Sequence, residues 1–276
     1  SIASFTVGEG NSGSITIDTQ TLKLLGGANL GSSTFDRGNA KRVKISANYI
    51  SVGGGTLPIR NGKSFIFSSG ITLDPITAKL LFGTDLNLSG SSGNLEINAN
   101  TINLYDGGSF SVSNDAGGNV GNLTVNSNQF ILKNANISAI SNGGNNGIIE
   151  INSDKLILVN SKISTSSNLF SNGGDIIIKS KVLAGNQNSS IQAKSKSGKG
   201  GKISISTEAL IYPINNITAE SGKDIFSNGT IQIDAKSFAP SQKLSRNFLK
   251  FSQPSAIDCN QLNRNSSFYT LNKDFT

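Results

Sequence analysis

The 276 residues contain no histidine, no tryptophan and no methionine, and one cysteine, Cys259. Without histidine and with one thiol, a zinc site is close to excluded and an internal disulfide cannot form. The chain must therefore hold itself together by packing. Cys259 reads as a small apolar filler, with an intermolecular thiol as the alternative. The missing methionine means that residue 1 is not a translational start, so the chain is read as a portion of a longer or processed protein. No signal peptide and no apolar run of membrane-spanning length is present, and no stable membrane insertion is expected. Charge is also scarce, at 15% against 36% hydrophobic residues, and Ser, Asn, Thr and Gly stand where helical proteins carry Glu and Lys. Aromatics make up 7%, with four Tyr. No aromatic–basic interleaving suggests a platform for bases, so no nucleic-acid partner is expected, although the net charge of +7 favours polyanions weakly.

What is abundant is repetition. In Gly121–Ile163 one pattern is written almost twice. Leu123 and Val125 precede Phe130 and Leu132, and then Ile137; Ile149 and Ile151 precede Leu156 and Leu158, and then Ile163. Apolar residues that alternate with polar ones mark a strand with one buried face. The same first pair recurs at Ile15, Val43, Phe65, Leu95, Ile176, Ile203 and Ile231, giving nine starts separated by 28, 22, 30, 28, 26, 27, 27 and 28 residues. Gly- and Asn-rich corners separate the copies. The unit beginning at Phe65 is irregular, with Ile71 and Leu73 out of phase and an Asp74-Pro75…Leu80-Leu81-Phe82 stretch, and is expected to bulge from one corner.

A unit of three short strands cannot form a sheet by itself. Each strand can pair with its equivalent one unit away, about 4.8 Å along an axis. The expected fold is all-β: a single-stranded right-handed parallel β-helix, with three short strands per coil and about nine coils, over residues 1–240. A sandwich or propeller would need antiparallel hairpins, longer strands or longer repeats. The paired glycines at 117–118, 143–144, 173–174 and 200–201 are expected to supply positive φ at the corners, and Asn142, Asn172 and Asn228 to form a side-chain ladder. After Pro240 the pattern stops, and residues 241–276 are assigned as a C-terminal cap or extension, with a short helix near Leu244–Phe251.

Chemistry is thin. Twelve Asp and five Glu are scattered, with no Asp-Asp pair, so no catalytic, metal-binding or cofactor-binding residue is assigned. Two carboxylates from different coils could still converge for glycosidase chemistry. Gly198-Lys-Gly-Gly-Lys202 fails the spacing of a phosphate loop. Lys194, Lys196, Lys199 and Lys202 cluster; they are solvated corner charge or a polyanion contact, and an acidic glycan is the partner that would suit them.

The Gly93-Asn-Leu-Glu-Ile97, Gly121-Asn-Leu-Thr-Val125 and Gly147-Ile-Ile-Glu-Ile151 units, each followed by an apolar pair and a Gly/Asn corner, resemble the repeats of filamentous haemagglutinin-like exoproteins, in a style common in cyanobacteria. The resemblance covers residues 1–240 or so. It implies a right-handed parallel β-helix, export of the full-length parent by two-partner secretion through an outer-membrane transporter, and a non-catalytic adhesive or structural role at the cell surface or outside the cell. The family's amino-terminal secretion domain is not in this chain, which would correspond to a carboxy-terminal portion. A polysaccharide-active β-helix enzyme, or a tailspike-like glycan-binding protein, is the alternative.

Overall fold

A computed structural model describes residues 1–54, 62–169 and 171–239, together with the backbone of 269–271. The elements follow in the order β1 (Ile2–Thr6), β2 (Ile15–Leu24), β3 (Asn29–Thr34), β4 (Val43–Gly53), β5 (Phe65–Gly70), α1 (Pro75–Phe82), β6 (Leu95–Tyr105), β7 (Ser109–Asn114), β8 (Leu123–Lys133), β9 (Asn136–Ser141), β10 (Ile149–Val159), β11 (Lys162–Ser167), β12 (Ile176–Gly185), β13 (Ser190–Ser195), β14 (Lys202–Ile211), β15 (Ile217–Thr218), β16 (Thr230–Ala239) and β17 (Tyr269–Leu271). The odd-numbered strands β1 to β15 form one eight-stranded parallel sheet. The even-numbered strands form the second, which β17 extends to nine by pairing with β16. Each turn of the chain contributes one strand to each sheet, so the protein is a parallel β-solenoid.

The register explains how the core is built. Leu123 pairs with Leu95 on one side and Ile149 on the other, and Phe130 with Ile102 and Leu156. Every inward residue thus sits on its own equivalent, and the interior fills with columns of Ile, Leu, Val and Phe that are fully buried from Val43 to Ile203. Full burial of such a side chain is worth about 1.5–3 kcal/mol. Ile15, Ile17 and Leu22, in the first even strand, are only partly buried, because β2 has a neighbour on one side alone.

Two expectations are corrected in form. The first and second apolar segments of a unit belong to one strand of ten or eleven residues, and so to one sheet where two were expected. The ladder skips a single residue at the junction: Ser153 pairs with Ser180 and Lys155 with Val182, leaving Asp154 and Lys181 out. Inward positions switch there from odd to even, Ile149 and Ile151 giving way to Leu156 and Leu158. A one-residue kink turns the chain without breaking the strand. Secondly, Phe65 does not open a unit. It lies in β5, which pairs with β3 and β7 in the other sheet. The intervals of 22 and 30 residues are therefore one long turn, in which Val43 pairs with Leu95, and eight turns replace nine.

The expected bulge in that turn contains α1. Asp74 caps its start by accepting from the Thr77 N–H at 3.0 Å, Pro75 occupies the first turn, and Gly83 ends it at φ 73°. Ala78 is buried, and Phe82 meets Phe5 and Phe35 at ring-centroid distances of 6.4 and 5.8 Å.

The corner glycines serve a purpose other than the expected one. None of the four pairs adopts positive φ. A Cβ on Gly121 would lie 2.1 Å from the Gly93 carbonyl oxygen, one on Gly147 2.1 Å from that of Gly121, and one on Gly201 2.1 Å from that of Gly174. Glycine is needed there because successive turns touch backbone to backbone. Positive φ at the corners falls to glycines outside the four pairs, Gly26, Gly27 and Gly107, and to Asp106, Asn134 and Asn160, these last at 46°, 51° and 50°. Their side chains stack: Asn134 Nδ2 donates to Asp106 at 3.0 Å, Asn160 Nδ2 to Asn134 at 3.2 Å and Asn186 Nδ2 to Asn160 at 2.7 Å. This column takes the place of the expected one, since Asn142 accepts from Asn168 at 2.6 Å and Asn172 from the Lys199 N–H at 3.0 Å. Apart from the β17 backbone, the expected cap at 241–276, its helix near 244–251 and Cys259 lie outside the described residues.

The phase of the strands is tested by two neighbouring substitutions. Ile149→Asp places an unpaired charge in a fully buried column and is expected to cost several kcal/mol in denaturant unfolding. Glu150→Ala removes a half-exposed ion pair to Lys179 and a long hydrogen bond from Asn152, both at 3.4 Å, and should cost less than about 1 kcal/mol. Equal losses from the two would overturn the assignment of inward and outward positions.

Candidate functional site: an amide-lined groove along the axis

The kink in each even strand has a consequence for the outer surface. Where the strand bends, three residues per turn line a concavity, the middle one partly buried or, at Ser153, buried, and the parallel register repeats them along the axis. The result is an open groove of about 910 Å³ crossing six strands, β2 to β12. One wall consists of Asp18, Ser46, Asn98, Asn126, Asn152 and Lys179, aligned by pairing. The floor is Thr19, Ala47, Ala99, Ser127, Ser153 and Ser180, and the far wall is Gln20, Asn48, Asn100, Asn128, Asp154 and Lys181. Six strands at about 4.8 Å span roughly 24 Å.

Hydrogen bonds hold these side chains in place. Asn152 Nδ2 donates to Asn126 Oδ1 at 2.9 Å, and Asn126 Nδ2 to Asn98 Oδ1 at 2.8 Å. Asn98 Nδ2 in turn donates to Glu96 Oε1 at 3.1 Å. The column therefore runs in one direction and ends on a carboxylate, which fixes the orientation of every amide above it. Along the far wall, Asn128 Nδ2 donates to Asn100 Oδ1 at 3.4 Å, and Asn100 Nδ2 to Asn48 Oδ1. On the floor the Ser127 hydroxyl donates to Ser153 at 3.0 Å. Asn152 gives both its N–H groups, to Asn126 and to Glu150 at 3.4 Å, while Asn98, Asn100 and Asn126 each spend one N–H and one acceptor site on their neighbours. An amide has two of each, so in these three the second N–H and the second lone pair remain for other partners.

The charged residues of the groove's last two turns are matched locally. Asp154 pairs with Lys181 at 3.0 Å, and Lys179 reaches Glu150 at 3.4 Å. Glu96 lies next to the groove and is held below the usual glutamate range, first by the hydrogen bond from Asn98 and then by Lys44, 3.3 Å away.

The four lysines singled out in the sequence lie elsewhere, around the corner between β13 and β14. Lys194, in β13, pairs with Glu220 at 2.8 Å. Lys196, Lys199 and Lys202 are exposed. The Lys199 N–H donates to Asn172 at 3.0 Å and the Lys202 N–H to Asp175 at 2.9 Å, so their backbones belong to the stacked corner while their ammonium groups point outward. The carboxylates considered for glycosidase chemistry are dispersed: Asp18 and Asp154 share the groove but stand on β2 and β10, four strand spacings or about 19 Å apart. Among the described residues, no three of His, Cys, Asp and Glu come together as a metal centre would require.

The groove itself escaped the sequence reading. Its signal was present in the Asn-x-Asn and Ser-x-Asn triplets at 46–48, 98–100 and 126–128. In a sequence these look like solvated turn residues, because the kink that gathers them appears only once the two apolar pairs are joined in one strand. No protein-family model, no curated protein and no solved structure matches this chain.

The directed column makes a prediction about titration. The Glu96 carboxyl should titrate below an ordinary glutamate, and its charge-dependent support of the fold should be present above the unfolded pKa and disappear as pH falls through the lower folded value. In Asn98→Ala the Glu96 midpoint, followed by carboxyl carbon NMR, should move up; an unmoved midpoint would show that the amide does not hold the carboxylate.

Proposed function

We propose that this solenoid is a non-catalytic binding or structural passenger that works outside the cell or at its surface, of the kind its repeats resemble, and that its parent is exported through an outer-membrane transporter. The observation that carries this reading is the groove: its middle turns repeat Asn or Ser at equivalent places, Ser46, Asn98, Asn126 and Asn152 on one wall and Asn48, Asn100 and Asn128 on the other, a surface arranged for many weak contacts along an extended partner. Repetition of one chemistry suits attachment better than catalysis, which needs unlike groups converging on one bond. The separation of Asp18 from Asp154 supports the same view, since paired glycosidase carboxylates lie within about 5–10 Å. A chain that folds without disulfides, adding one turn to the next, also suits passage through a membrane pore before folding.

The exposed ammonium groups of Lys196, Lys199 and Lys202 favour a contact of the same rod with acidic surface glycan, as a second and weaker site. The alternative reading, an enzyme acting on polysaccharide, draws on the same groove.

Two measurements test the proposal. In the source cells, protease added to intact cells should degrade the solenoid while cytosolic markers survive; a protein that is protected until lysis would sink the surface assignment. Purified solenoid incubated with acidic and neutral polysaccharides should release no reducing ends. Sustained release that is lost in Asp154→Asn or Asp18→Asn would replace the binding role with catalysis.

A further inference from the structure

We propose that the groove of β2 to β12 is a binding site for a single extended strand of neutral polysaccharide, laid parallel to the solenoid axis with about one sugar per turn. The proposal rests on the reading of the rod as a binding protein and names the ligand class of its groove.

Four observations narrow the chemistry. First, the groove is open along its length, so it suits a polymer that crosses it better than a small molecule that must be enclosed. Second, its charges are largely matched within the protein, Asp154 by Lys181 and Lys179 by Glu150. An acidic polymer would find no row of free cations there, and nucleic acid would also lack aromatic platforms. Third, from β4 to β10 the groove crosses strands that are paired on both sides, and only β2, at one end of it, is an edge strand. Peptides that add to sheets need a free edge, and one added at β2 would lie across the end of the groove and not along it. Fourth, what the walls do offer is amides, of which Asn98, Asn100 and Asn126 each keep one unspent donor and one unspent acceptor. Neighbouring hydroxyls on a pyranose ring need that combination, since each hydroxyl both donates and accepts.

Geometry adds to the chemistry. The amides repeat at the strand spacing of about 4.8 Å. A pyranose joined through equatorial positions advances by nearly the same distance per residue, so successive sugars would meet equivalent amides. The columns also fix the side chains beforehand. Asn98, Asn126 and Asn152 are locked to one another and to Glu96, so little rotamer freedom remains to be lost on binding. Each contact is weak, and affinity would come from their number.

The test uses the intact chain and linear neutral β-linked gluco-oligosaccharides of two to eight units, titrated by NMR and calorimetry. Affinity should rise with each added sugar and level off near six, the number of strands the groove crosses. Asn100 and Asn128 are exposed, so Asn100→Ala/Asn128→Ala should retain the wild-type melting curve and bind the hexamer at least tenfold more weakly. Asn128→Asp, which keeps the shape and removes a donor, should weaken binding in the same direction. Lys199→Ala/Lys202→Ala should bind as wild type.

The site assignment would be overturned by no binding to the neutral series, by affinity independent of length, or by wild-type binding in both groove variants. Binding of polygalacturonate alone, abolished by salt and by the lysine substitutions, would transfer the ligand to the β13–β14 corner. Competition by an extended peptide at equal strength would make the groove a peptide site. None of these outcomes alters the intact-cell protease result, so the groove can fail while the surface role stands.

Discussion

The structure depends on one constraint: each turn must lie on the previous one in exact residue register, at the separation of hydrogen-bonded strands. Inward side chains satisfy it by placing like on like, as Leu95, Leu123 and Ile149 do. Corners satisfy it through glycine, because the carbonyl of Gly93 occupies the place where a Cβ of Gly121 would stand. Outward residues inherit the register without contributing to it. Once the turns are locked, any polar residue at a given phase becomes a row, and a row of amides becomes a hydrogen-bonded column. The groove is therefore a consequence of the core's geometry, and only the choice of Asn, Ser and Thr along it is free.

That hierarchy explains which parts were legible in the sequence. The inward pairs could be read because burial imposes a period of two within a strand and about 27 residues between turns, and both survive in Ile149, Ile176 and Ile203. Phe65 and Phe67 misled because they satisfy the same alternation while lying in the other sheet, with their rings 5.2 Å apart. Alternation identifies a strand but not its sheet. The glycine corners were visible, but their reason was not: a close approach between residues nearly thirty positions apart leaves no local mark to distinguish it from a left-handed turn. The α1 signals, Asp74-Pro75 and Gly83, were there to be read, although eight residues are too few for a helical period to stand out.

The site was less legible than the fold. The lysines drew attention because charge is rare in this chain, yet Lys194 is answered by Glu220 from the next turn. Asn98, Asn126 and Asn152 did not, because asparagine followed by Ala or Ser after an apolar pair looks like ordinary turn composition. Their meaning comes from the kink at the residue after Ser127 and Ser153, where the inward phase changes and the outer face becomes concave. A single-residue irregularity, repeated by the register, turns a composition into a surface.

The long turn between β4 and β6 bears on how such a molecule can change. Val43 and Leu95 pair as directly as Leu95 and Leu123, although 52 residues separate the first two and 28 the second. The added chain, α1 included, leaves the columns above and below it undisturbed. Extra loop length costs little entropy once the ends are fixed, only about 0.6 kcal/mol for each doubling. A solenoid of this kind can therefore acquire a new segment at one corner, or shed one, with its scaffold intact. Novelty enters sideways, at the margins of a turn, while the axis keeps its order.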